Sequence, residues 1–224
     1  VAREISDSGI ALTQRAIFQR DPAAISPLRM FDNVTPFGSQ RFLFAAIAAF
    51  AERGYHASTT REIALLAGSS PAGMYTYYRT KSDLLYEVSL IVHLHVLPVM
   101  REGISSGSDP ATRMMGLVKA LVSFHSVEHI VVGMVTSNFR ALEKERVDEI
   151  LKLRREAKFM VFAEVAAGVA AGDFTVPSAE GAALAILRLT DVTSWYNELG
   201  PMSPTELGEV FSDLILRMLG VDND

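Results

Sequence analysis

Apolar residues recur at three- and four-residue intervals along nearly the whole chain, and the strict alternation of a half-buried strand is almost absent. Phe42, Ala46, Ala49 and Phe50 make one face of a helix from about Ser39 to Arg53. Ser39 is placed to cap it, and Gly54 follows where a glycine can take the left-handed conformation that closes a helix. Ile63, Leu66 and Ala67 form a shorter stripe, and Gly68 ends it. Thr59 or Thr60 can cap that helix, helped by Glu62 or Glu52. Pro71 opens a two-turn helix through Ala72, Gly73, Met74 and Tyr75. The next helix has Ser82 as its cap and runs toward Pro98. Asp109-Pro110 starts another, with Met114, Leu117, Val118, Leu121 and Phe124 on its apolar face. Residues 128–141 read as one helix or two short ones, and 143–171 as a long helix ended by Gly172. Ser178 caps a helix over 179–198 that Gly200-Pro201 ends, and Ser203-Pro204 introduces a last one to about Leu219. An all-α fold follows. Its expected divisions are a partly ordered N-terminal extension over 1–38, a three-helix domain over 39–85 and a larger helical domain over 86–224.

Composition narrows the classes. Of 224 residues, 49% are hydrophobic, too many for a disordered chain and enough for a substantial core. The lack of cysteine excludes disulfides, thiol nucleophiles and thiolate metal sites. No uninterrupted apolar run reaches about 18 residues, and no basic flank precedes an apolar N-terminal stretch. The expectation is a cytoplasmic protein without a membrane partner and without a cofactor. The net charge of −5 is unevenly spread. Residues 39–81 carry five Lys/Arg against two acids, residues 82–224 carry twelve against twenty, and residues 1–38 balance at four each. A positive segment on an acidic chain turns that segment toward a polyanion.

The positive segment carries the chemistry such a partner needs. Phosphate contacts fix position on a duplex, and base-edge contacts read its sequence. Thr59, Thr60, Tyr75 and Tyr77 offer hydroxyls, and Lys81 offers an ammonium at a helix start. Arg61 carries the planar fork that matches guanine O6 and N7. Ala72 and Gly73 are small enough to let a helix approach a groove floor, although glycine costs the helix about 1 kcal/mol relative to alanine. Arg15, Arg20 and Arg29 can be read as a minor-groove arm, but a partly ordered extension is the preferred reading.

The order GY…TT-R-x-I-A-x-x-A-G-S-S-x-x-x-x-Y-x-Y-Y-x-x-K-x-x-L, from Gly54 to Leu84, resembles the N-terminal domain of the TetR family of transcriptional regulators. The likeness covers about a fifth of the chain. It implies a helix-turn-helix DNA reader joined to a helical ligand-binding and dimerisation domain, and a ligand-responsive repressor rather than an enzyme. It places a base contact on Arg61 and phosphate or base contacts on Ser70, Ala72, Gly73, Tyr75 and Lys81. The family often has a bulky aromatic pair and a phenylalanine where this chain has Tyr75-Thr76-Tyr77-Tyr78, so Tyr78 is expected to be buried with its hydroxyl in need of a partner. The last two helices carry more apolar surface than one core contact requires, including Leu184, Leu187, Leu207, Phe211 and Leu214. The resemblance assigns that surplus to a two-fold homodimer, which would meet a palindromic double-stranded operator.

A regulator needs an input. Met100, Met114, Met115, Phe124, Met134, Phe139, Met160 and Phe162 are candidate walls for an apolar effector, since methionine adapts to irregular pockets. His125, His129 and Asn138 can orient such a small molecule. The segments LEKERVDEILKLRREA, AAGDF and SWYNELGPMSPTEL are similar to the acyl-CoA-responsive branch of the family. That likeness implies a lipid-derived ligand whose anionic handle Arg140, Arg154 and Arg155 would meet.

A reading from another class stands beside this one. His125-Ser126-Val127-Glu128-His129 matches H-x-x-E-H, in which two histidines one helical turn apart share a metal and the glutamate acts as base. It makes the chain a metal-binding protein or metallohydrolase. For any one of these residues, plain packing or a polar surface remains the simpler explanation.

Overall fold

The computed structural model describes residues 29–36, 38–196 and 202–221. The chain forms two compact units. One takes the residues up to Val92 together with Ile130–Ile150, and the other takes His93–His129 with Leu151–Asp224. Among the described residues every regular element is helical.

In the first unit a 3-10 turn, Arg29–Phe31, leads to α1, Gln40–Arg53. Phe31 is fully buried edge-on against Phe44, and the Gln40 side chain donates to the Phe31 carbonyl at 2.9 Å. Helix α1 is buried around most of its girth, through Phe42, Leu43, Phe44, Ala46, Ile47 and Phe50. Such a helix forms the centre of a domain rather than its surface. Gly54 closes it at φ +82°, a backbone angle costly for any residue with a Cβ. Helix α2, Thr60–Leu66, starts on a reciprocal cap between Thr59 and Glu62. Helix α3, Pro71–Tyr75, starts on Ser70, whose hydroxyl accepts the Gly73 N–H at 3.1 Å. Helix α4, Lys81–Ser105, runs through both units in turn.

Several helix ends differ from the sequence expectation. Ser39 has helical backbone angles and makes no capping bond. Ser82 is not the cap of α4 either: the Thr80 hydroxyl accepts the Asp83 N–H and the Asp83 carboxylate accepts the Thr80 N–H. That helix does not stop at Pro98. The ring lies on an exposed position, and the helix continues to Ser105. Helix α4 is long and apolar enough, by length and composition, to cross a membrane. Leu84, Leu85, Val88, Val92, Leu97 and Met100 are nevertheless buried within protein, as in a core helix.

The second unit holds α5, Pro110–Val127, capped by Asp109. Helix α6, His129–Asn138, follows and ends in a 3-10 turn, Phe139–Ala141; apart from His129 this segment belongs to the first unit. Helix α7, Lys144–Ala171, begins in the first unit and finishes in the second. Helices α8, Ala179–Thr190, and α9, Pro204–Met218, complete the chain. The core of the second unit gathers Met100, Met114, Leu117, Leu121, Val165, Ile186 and Ile215. Where α4 and α5 cross, Gly103 and Gly116 bring the two backbones together. A Cβ built on Gly103 would lie 2.6 Å from the Gly116 carbonyl oxygen.

Helix α8 is shorter than expected. Its last residue, Thr190, bonds back to the Ile186 carbonyl, and Asp191 leaves helical geometry at ψ 81°. The expected stop at Gly200-Pro201 lies outside the described residues.

Candidate nucleic-acid interface

Helices α2 and α3 meet through their exposed hydroxyls. The Thr60 Oγ1 and Tyr75 Oη atoms are 3.2 Å apart at the surface. Beneath them Ile63, Ala64 and Met74 are buried, which fixes the two short helices against the unit's core. Leu66 does not join that stripe: it is 40% exposed, as is its neighbour Leu65 at 64%. Arg61, Ser70, Ala72, Tyr75 and Tyr77 are exposed around the hydroxyl pair, and Gly73 is partly so. Gly73 has a second reason to lack a side chain, because a Cβ there would lie 2.5 Å from the Ser69 Oγ. The Tyr77 ring rests on Phe42 at 5.6 Å.

Two expected phosphate donors are already engaged. The Thr59 hydroxyl accepts the Glu62 N–H at 3.2 Å and donates to the Glu62 carboxylate at 3.0 Å. The Thr59 backbone and hydroxyl bonds hold Glu62 below the usual carboxylate range, and Arg53 adds to the effect. The Lys81 ammonium turns inward, donating to the carbonyls of Tyr55, His56 and Ser58 at 2.8, 3.0 and 3.0 Å. An ammonium has three protons, so the side chain expected to reach phosphate instead holds the α1–α2 loop.

Tyr78 is buried as expected. Burial pushes its hydroxyl up to about 12, with the Ser39 side chain acting in the opposite direction. Arg79 is a residue the sequence reading weighed only as a charge. It is exposed in the turn after α3, with its backbone N–H held by Asp83 at 3.1 Å. Its place beside the reading helix is the signal that could have singled it out.

The candidate effector residues are divided between the two units. Met134 and Asn138 belong to the first, where the Asn138 amide donates to the Met134 carbonyl of its own helix. Phe139 and Arg140 lie in the first unit too, and the others belong to the second. There Met100 and Met114 are fully buried in the core, and Phe162 packs against it. The Phe124 ring lies between His95 and His125 at 6.0 and 5.6 Å. His125 Nδ1 lies 2.7 Å from the Thr190 carbonyl oxygen. Desolvation pulls the His125 pKa down, against the opposing influence of that carbonyl and of Asp191. His129 Nδ1 meets the Ser126 carbonyl at 2.8 Å, and its ring lies beside Tyr196.

This arrangement corrects the metal reading. Helix α5 ends at Val127, Glu128 caps it with non-helical angles, and α6 begins anew at His129. The histidines therefore do not share one helix face, and each directs Nδ1 to a different carbonyl. Among the described residues no three His, Cys, Asp or Glu side chains converge.

Helices α8 and α9 keep large apolar side chains exposed: Leu184, Leu189, Val210, Leu214 and Met218. Leu207 is not among them, because it is buried in its own unit's core, and Phe211 is stacked on Trp195 with Leu187 half-buried nearby in the same core. Of the residues expected at a subunit interface, Leu184 and Leu214 remain about half exposed.

Comparison with known proteins agrees with this architecture. Residues 42–88 match the profile described as bacterial regulatory proteins, tetR family, and residues 107–219 match the tetracyclin repressor-like C-terminal domain. The transcriptional repressor KstR2 of Mycobacterium tuberculosis is 26% identical over 176 residues, covering 76% of this chain and 87% of the relative. A solved TetR-family regulatory protein from Rhodococcus RHA1 is 34% identical with a TM-score of 0.80, covering 84% of this chain and all of that one. AibR, solved with isovaleryl coenzyme A and operator DNA, has the same fold at 16% identity and a TM-score of 0.71, covering 81% of this chain and 97% of that one. A DNA reader built on α2 and α3, followed by a helical domain that matches the family's C-terminal part across 107–219, makes this chain a member of the TetR family of bacterial regulatory proteins.

Proposed function

We propose that this DNA-binding transcriptional regulator acts in the cytoplasm as a homodimeric repressor on a palindromic operator and leaves it when an acyl-CoA-type effector binds. The exposed Thr60–Tyr75 hydroxyl pair, with Arg61 one residue away, carries the DNA reading. The pair is placed to hold a phosphate, which leaves the Arg61 guanidinium free for a base edge. Ser70, Ala72, Gly73 and Tyr77 complete the contacting surface around α3, while Thr59 and Lys81 serve it by shaping α2 and its loop.

The exposed apolar residues of α8 and α9 support a second copy as partner, through Leu184, Leu189, Val210, Leu214 and Met218. A two-fold dimer places two readers at a fixed separation, which is what a palindrome demands.

The effector reading draws on two relatives, a ketosteroid regulator and AibR with its coenzyme A thioester. Within the second unit burial lowers the His125 pKa and the Arg154 charge adds to that in smaller measure, against the Thr190 carbonyl and Asp191, and the His125 ring lies 5.6 Å from that of Phe124. That set suits a thioester with an anionic handle. Effector release requires tighter binding to the DNA-incompetent state than to the competent one.

The test is selection of bound fragments from genomic DNA, then titration of the best fragment against salt and against isovaleryl-CoA, longer acyl-CoAs and free coenzyme A. The expected result is a palindrome bound with a steep salt dependence and released by an acyl-CoA but not by free coenzyme A. Binding without sequence preference would overturn the operator reading. A palindrome that no acyl-CoA releases would overturn the effector class alone.

A further inference from the structure

Helix α3 has only five residues, so its orientation is set by what holds its ends. The turn after it is held by a single carboxylate. Asp83 Oδ2 accepts the backbone N–H groups of Arg79 at 3.1 Å and Thr80 at 2.8 Å. The other oxygen of the same carboxylate, Oδ1, accepts from Arg146 Nη2 at 2.6 Å. Arg146 stands in the first turn of α7, 63 residues away.

The surroundings concentrate on that contact. Arg146 Nη1 reaches the buried Ser82 hydroxyl at 3.3 Å and Glu143 at 3.5 Å. Ser82 also donates to Glu143 at 2.8 Å. The guanidinium lies over the Tyr86 ring at 4.8 Å, and the Tyr86 hydroxyl donates to Glu149. The first turn of a helix disfavours a cation, so local helix electrostatics do not account for an arginine at 146. Its partners on α4 do. Both side chains are about one quarter to one third exposed, at 31% and 26%, which makes the pair worth little as a source of stability. Its geometric effect is larger, because one carboxylate fixes both the turn and α7.

We propose that Arg146 is the positioning residue for the DNA-reading helix: through Asp83 it ties the α3–α4 turn to the start of α7 and so restricts the operator geometry the dimer accepts. This rests on the operator reading above. The contact is specific to arginine, because a lysine at 146 cannot reach Asp83, Ser82 and Glu143 from one planar group.

The test uses the full-length protein, the selected operator and variants of that operator with its spacer lengthened or shortened by one and two base pairs. Each inserted pair moves one half-site by about 3.4 Å and about a tenth of a turn. The wild type is expected to lose about tenfold or more in affinity per added pair, whereas Arg146→Ala and Arg146→Lys lose less than about threefold. Affinity for an isolated half-site and the melting temperature should stay near wild type. Variants that keep the wild-type spacing profile would overturn the proposal. A parallel fall at every spacing, half-site included, would overturn it too, by showing a general structural role. A wild type indifferent to spacing would instead overturn the two-fold operator reading, and this inference with it.

Discussion

The Lys81 ammonium lies 2.8 Å from the Tyr55 carbonyl oxygen and 4.6 Å from the centre of the same residue's ring. One side chain thus binds a loop residue through both its backbone and its aromatic face. Lys81→Ala leaves three carbonyls without their donor and should cost about 2 kcal/mol of stability. Operator affinity should fall through loss of folded reader, with the slope of log K against log salt unchanged. A flattened slope would return Lys81 to the phosphate contacts.

Arg61→Ala removes an exposed guanidinium from the first turn of α2. It should cost about 1–3 kcal/mol on the preferred operator and relax preference at one base pair of each half-site. Selection repeated with the variant would reveal that position, and an unchanged consensus would remove Arg61 from base reading.

Tyr75→Phe and Thr60→Val each delete one member of the 3.2 Å hydroxyl pair. If the two hold one phosphate, each single variant should weaken binding to every sequence alike, and the double variant should be little worse than either. Fully additive losses would show that the hydroxyls act apart.

Leu214→Glu places a charge on the exposed apolar face of α9 and should turn the dimer into a folded monomer, seen by sedimentation, with loss of palindrome binding. Leu207→Ala on the same helix should behave differently. That side chain is 4% exposed inside its own core, so the variant should lose about 2–5 kcal/mol of stability.

The acid side of the stability curve has a direction. Glu62, Asp109 and Glu206 are each held below the usual carboxylate range, first by a backbone hydrogen bond at a helix start. At Asp83 burial acts upward, but the bonds from Arg146 and Thr80 outweigh it and the net shift is downward. A lowered folded pKa adds stability above the unfolded value and loses it as pH falls through the folded one. Melting temperature should therefore drop as pH falls below about 4, and Glu206→Gln should shrink that drop.

Helix starts were legible at several local caps: Thr59 with Glu62, Asp109 before Pro110 and Ser203 with Glu206 all occupy the positions their spacing implies. The expectation failed at Ser39, which makes no capping bond, and at Ser82, where tertiary partners compete for the hydroxyl. Ser82 is drawn to Glu143 and Arg146, and the start of α4 passes to Thr80 and Asp83. Exposed reader residues such as Arg61 and Tyr75 follow from the motif's order. The inward turn of Lys81 does not, because it depends on where the α1–α2 loop leaves its carbonyls. Nor could the Asp83–Arg146 pair be read from a separation of 63 residues, where no periodicity links the partners. The H-x-x-E-H reading assumed one continuous helix, and Glu128 interrupts it.

The meeting of Gly103 and Gly116 has its own consequence. Helices that touch through side chains interdigitate, and the fit of ridges into grooves selects a crossing angle. At this crossing only the small side chains of Ala120 and Ser106 stand beside the two glycines. Backbones that meet through glycine can approach closely and swivel about the point of contact with few side chains in the way. Alanine at either position would wedge the pair apart, so the crossing tolerates rotation and forbids growth. Natural variants of this protein should accumulate substitutions at the exposed positions of α4 and α5 while these two positions keep hydrogen as their side chain.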